Sequence, residues 1–130
     1  MIGIVIVAHG GLAREYLSAV EHVVGKLQGV RTISIEGDFD RARKEEEIRA
    51  AADAVDQGQG VVVVTDMFGG SPSNLSFCAQ GPKNRRFLHG ANLPMLIKLA
   101  KCRGKTVDEA ASCALAAGKK YIDSSDRRTG

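Results

Sequence analysis

The chain has 130 residues and a mass of 13.8 kDa, the size of one domain, with interior enough to fold without a disulfide or metal staple. Hydrophobic residues make up 44% and charged residues 25%, near the globular average, which excludes a disordered chain or a fibre. A net charge of +3 and the absence of any apolar run of ~18 residues argue against a dedicated nucleic-acid binder and against direct membrane insertion.

The opening run Ile4 to Ala8 lacks the basic flank and cleavage signal of a secretory peptide. Cys78, Cys102 and Cys113 are an odd set with no CxxC and no Cys/His cluster at metal-ligand spacing. The expectation is one domain over residues 1–130 in the reducing cytoplasm. Charge is uneven: residues 1–80 carry 7 Lys/Arg against 11 Asp/Glu, and residues 81–130 carry 11 against 4.

Ile2 to Ala8 is a continuous β-branched apolar run, as in a strand buried on both faces. Leu12, Tyr16, Leu17, Val20, Val23 and Val24 follow at helical spacing, closed by Gly25 and Gly29. Val30 to Ile35 reads as a second strand. Asp40 to Val55 is a charged helix with an inward stripe of Ala42, Ile48, Ala51, Ala52 and Val55. Val61 to Thr65, with four consecutive valines, is a central strand. Ser71-Pro72 starts a helix reaching about Gln80, with Ser as N-cap and Pro at the first position. Arg86 to His89 is a short strand, and Asn92 to Arg103 a helix that tolerates Pro94 in its first turn. Thr106 and Glu109 form a capping box for a last helix reaching about Tyr121. The polar tail 123–130 reads as flexible unless it pairs as an edge strand.

Strands alternating with helices imply an α/β fold, a mainly parallel central sheet with helices on both faces. In such sheets ligands sit beyond the carboxyl ends of the strands. Three polar, glycine-rich turns converge there: His9-Gly10-Gly11, Asp66-Met67-Phe68-Gly69-Gly70-Ser71-Pro72 and Gly90-Ala91-Asn92-Leu93-Pro94. His9 leaves a central strand, where a neutral imidazole is a competent nucleophile once its second nitrogen has a partner. Asp66 is the candidate partner, though an Asx-turn role fits it equally well. Gly69, Gly70 and Ser71 precede a helix start, whose free N–H groups suit a phosphate, while Ser71 also serves as a plain cap.

Together these groups describe a histidine that accepts a phosphoryl group: His9 the nucleophile, Asp66 its orienter, Gly69, Gly70 and Ser71 the phosphate cradle. A Ser-His-Asp hydrolase uses the same residue types, but Gly-Gly-Ser-Pro is not a nucleophile elbow. Gly104-Lys105-Thr106 imitates the end of a phosphate-binding loop, yet Leu99 stands where the first glycine is required. His22 and His89 receive no catalytic role.

The segments Ile4–Gly10, Asp66–Asn74 and Gly90–Leu96, in that order, resemble the IIA component of the mannose family of the bacterial phosphoenolpyruvate:sugar phosphotransferase system. The likeness extends to about residue 122. It implies a flavodoxin-like three-layer sandwich that takes a phosphoryl group from the phosphohistidine of HPr onto His9 and passes it to a IIB component. Asp66 would hold the imidazole and Ser71 would lie against the phosphoryl group, with Met67, Phe68 and Pro72 forming the docking surface. The resemblance also implies a homodimer and a transfer that needs no metal or other cofactor. Since the sequence stops at Gly130, the IIB acceptor is expected on a separate protein. A regulatory module, whose His9 phosphorylation controls a partner without sugar transport, is the alternative. A related subunit serving dihydroxyacetone kinase is disfavoured by the intact Phe68-Gly69-Gly70-Ser71-Pro72.

Overall fold

The computed structural model describes residues 1–67 and 84–126. The expected helix from Ser71, the residues Phe68, Gly69, Gly70, Ser71 and Pro72, and Cys78 lie outside the described residues.

Strands β1 (Gly3–His9), β2 (Val30–Ile35), β3 (Val61–Thr65) and β4 (Arg85–His89) form one parallel sheet in the order β2-β1-β3-β4. The register runs Ile4 opposite Val30 and Val62, and Thr65 opposite His89. The two central strands read as unbroken apolar runs because both of their faces are covered. On one face Ile4, Ile6, Val62, Val64 and Leu88 pack under α1 (Leu12–Val24), α3 (Leu93–Lys101) and α4 (Val107–Lys120). On the other, Val5, Val7, Val61 and Val63 pack against Ile48, Ala52 and Val55 of α2 (Arg41–Val55). Helices therefore cover both faces of a parallel sheet, the α/β fold anticipated from the alternation of elements.

The expected capping box forms, Thr106 and Glu109 bonding reciprocally, and the structure adds two further caps: Asp40 accepts from the Arg43 N–H and Asn92 from the Met95 N–H. Two stripes are narrower than their sequence suggests. Leu12 and Val23 of α1 are exposed, because the inward face centres on Ala13, Leu17 and Val20. Ala42 is also exposed; Phe39, ahead of α2, packs against that core instead.

Arg103, just beyond α3, is buried beneath the amino ends of the strands. Its guanidinium donates to the carbonyl oxygens of Ile2 (2.9 Å), Gly29 (3.0 Å) and Gln28, and its own carbonyl accepts from the Ile2 N–H. One side chain thus ties the start of β1 to the turn before β2. Burial lowers the affinity of this guanidinium for its proton.

Candidate functional site

With β1 and β3 side by side, the parallel register brings their carboxyl ends together. His9 is the last residue of β1, and Asp66 directly follows β3. Asp66 Oδ2 lies 2.9 Å from His9 Nδ1 and accepts the His9 backbone N–H at 3.1 Å. The imidazole is 48% exposed while the carboxylate is only 10% exposed. This pair is a solvent-facing ring held from behind by a mostly buried acid. With Nδ1 donating its proton to Asp66, Nε2 carries the lone pair.

The chain turns sharply after His9. Gly10 adopts φ +55°, a left-handed conformation that other residues enter at a cost, and its N–H donates to the Ile35 carbonyl at 3.1 Å. Among the described residues, a side chain at Gly10 or Gly11 would meet nothing within 4 Å. Met67 follows Asp66 and is 52% exposed.

The third turn joins the site through main-chain bonds. The Ala91 N–H donates to the Thr65 carbonyl at 2.9 Å, locking the exit of β4 to the residue before Asp66. The Tyr16 hydroxyl donates to the Ala91 carbonyl at 3.0 Å. Its pKa is raised above the ordinary value of 10, first by burial and then by the negative charge of Asp66. Thr65 Oγ1 lies 2.8 Å from His89 Nδ1, and burial lowers the pKa of His89 from 6.5. Sequence reading had placed Tyr16 only in an apolar stripe and left His89 without a role. The polar Thr65 ending an otherwise all-valine strand was the available signal.

The structure therefore brings His9, Asp66 and the Gly90–Asn92 turn to one edge of the sheet. His22 sits exposed in the last turn of α1, away from that edge. Among the described residues, no group of three or more His, Cys, Asp or Glu is placed to hold a metal ion. No described helix is long and apolar enough to cross a membrane.

A family model described as the phosphotransferase-system fructose IIA component matches residues 3–116. The chain belongs to this IIA family. Its fold is shared with phosphotransferase system component EIIA from Streptococcus agalactiae, with a TM-score of 0.85 and 26% identity over the whole of both chains. The mannose/sorbose-specific IIA subunit from Enterococcus faecalis also gives 0.85, at 25% identity over 96% of this chain and 95% of that one. The mannose-specific EIIAB component of Escherichia coli K12 is 28% identical over 93% of this chain, and the chain spans 38% of that protein's length. Membership places the chain among the IIA components of the phosphotransferase system, on a flavodoxin-like fold.

Proposed function

We propose that the IIA chain is a phosphocarrier whose acceptor atom is Nε2 of His9. The Asp66 contact to Nδ1 carries this reading, because it leaves the opposite ring nitrogen unprotonated on the exposed side of the ring. The donor is the phosphohistidine of HPr. The Nε2 lone pair forms a new P–N bond as the donor's P–N bond breaks, and the leaving imidazole keeps that electron pair. Positive charge grows on the His9 ring as the bond forms, and the Asp66 carboxylate offsets it where little water intervenes. The same events in reverse pass the group to a IIB component.

In-line transfer of this kind depends on positioning and charge stabilisation. Gly69, Gly70 and Ser71 would bind the phosphoryl oxygens through backbone N–H groups and the serine hydroxyl. Met67, Phe68 and Pro72 would meet the partner proteins. The cytoplasm, where phosphoenolpyruvate supplies the phosphoryl group, is the compartment that fits, and a homodimer is the assembly state we assign.

Intact-mass spectrometry after incubation with phosphoenolpyruvate, enzyme I and HPr tests this reading. One acid-labile, base-stable phosphoryl group should appear on the wild type and be absent from His9→Ala. An unmodified wild type in the presence of active HPr, or a modified His9→Ala, would overturn it. Delivery of the label to a purified IIB protein, but not to water, tests the second half of the cycle.

A further inference from the structure

Away from the phosphoryl site, a groove of about 570 Å³ runs between α3 and α4. Ile97, Ala116 and Ala117 line it together with the exposed lysines Lys98, Lys101 and Lys120. Among the described residues, no acidic side chain lines it. The two acids at the start of α4 are engaged elsewhere: Asp108 with Arg86, and Glu109 with Thr106. Lys120 lies over the Tyr121 ring, its Nζ 5.7 Å from the ring centre, while Lys98 and Lys101 project along the apolar trough with no acid in its lining among the described residues.

We infer that this groove docks an amphipathic helix of another protein, one whose apolar stripe is flanked by glutamates or aspartates. The alanines on α4 let a third helix approach to ordinary packing distance, about 8–10 Å between axes. The glutamates would then stand beside the lysines, at the edge of a buried apolar contact, where such pairs set specificity and rate of encounter. A small molecule is a poorer fit, because a trough offering only flexible ammonium groups has few fixed polar atoms to orient it.

A second copy of this chain does not supply that occupant. Two lysine-lined faces meeting across a two-fold axis repel each other. Helix α2, whose four acidic side chains are matched by four basic ones, has already committed Ile48, Ala52 and Val55 to its own core, leaving it no acid-flanked apolar stripe to offer. At its upper end the groove reaches Pro94 and Tyr121, close to where the Asn92 side chain donates to the Gly118 carbonyl at 3.0 Å. An occupant would thus sit beside the turn that adjoins Asp66. The docking itself does not require His9 to carry a phosphoryl group.

The probe is a fluorescein-labelled helical peptide of about five turns, with leucines along one stripe and glutamates on both flanks. Its twin has every glutamate replaced by lysine. Fluorescence anisotropy at physiological salt should show the acidic peptide binding at least about ten-fold more tightly than the basic one. Lys98→Glu/Lys101→Glu should erase that preference, and Ala117→Trp should weaken binding by filling the trough, with circular dichroism confirming that both variants fold. Equal binding of the two peptides, no binding up to about 1 mM, or binding unchanged in both variants would overturn the proposal. It is also overturned if phosphatidylglycerol vesicles bind while the peptide does not, or if sedimentation shows that Ala117→Trp splits a dimer closed over this groove.

Discussion

A single oxygen, Oδ2 of Asp66, lies 2.9 Å from the ring Nδ1 of His9 and 3.1 Å from that residue's backbone nitrogen. Ring and main chain are thus fixed by one carboxylate, so rotation of the imidazole breaks a contact whose other half is part of the strand terminus. Asp66→Asn preserves the shape but removes the charge. Phosphorylation of His9 by phospho-HPr should slow by about 10²-fold, the usual loss when one electrostatic stabiliser is removed. Rapid-quench kinetics at saturating donor reads this, and an unchanged rate would show that Asp66 has only an orienting role.

Tyr16 connects α1 to the turn beyond β4. Tyr16→Phe should cost about 1 kcal/mol in urea denaturation, the typical contribution of one hydrogen bond. The chain has only two tyrosines, so Tyr121→Phe isolates the ultraviolet titration of Tyr16. That titration should lie above pH 10 and move down when Asp66→Asn is added, because the carboxylate charge helps to hold the phenol protonated. Failure of the midpoint to move would refute the electrostatic link.

His89 supplies a pH dependence. Its folded pKa is below its unfolded value of 6.5, so the unfolded chain binds the extra proton first. Stability is complete above pH 6.5 and declines as pH falls from there through the folded pKa. His89→Asn can keep a polar contact to Thr65 without titrating. The difference in melting temperature between wild type and variant should therefore shift against the wild type on going from pH 7 to pH 5. A constant difference would rule out this source of acid sensitivity.

Arg103 is a structural counterpart at the opposite end of the sheet. Arg103→Met retains much of the buried stem but leaves the carbonyls of Ile2, Gln28 and Gly29 without their donor. Loss of about 2–4 kcal/mol is expected, measured by chemical denaturation. A loss below about 0.5 kcal/mol would show that water replaces the guanidinium at no significant cost.

The sequence alone determined the local structure wherever one physical signal dominated. Val30–Ile35 and Val61–Thr65 appear with the expected bounds, since β-branched runs between glycines have no competing helical solution. Thr106 was legible as a cap because its side chain acts on a neighbour three residues away, Glu109. His9 and Asp66 were legible as candidates because both stand at the carboxyl ends of strands in a parallel sheet, the edge where ligands bind.

Only the tertiary structure decided which residues share a neighbourhood across long stretches of chain. Tyr16 and Ala91 are 75 positions apart, and Arg103 and Ile2 are 101 apart. No periodicity encodes such partners, because a helical stripe shows that a side chain turns inward without showing what it meets. The strand order β2-β1-β3-β4 puts β1 against β3, and with it His9 against Asp66. The exposed fates of Leu12, Val23 and Ala42 have the same origin: apolar character is local, but burial requires a neighbouring surface, which packing alone provides.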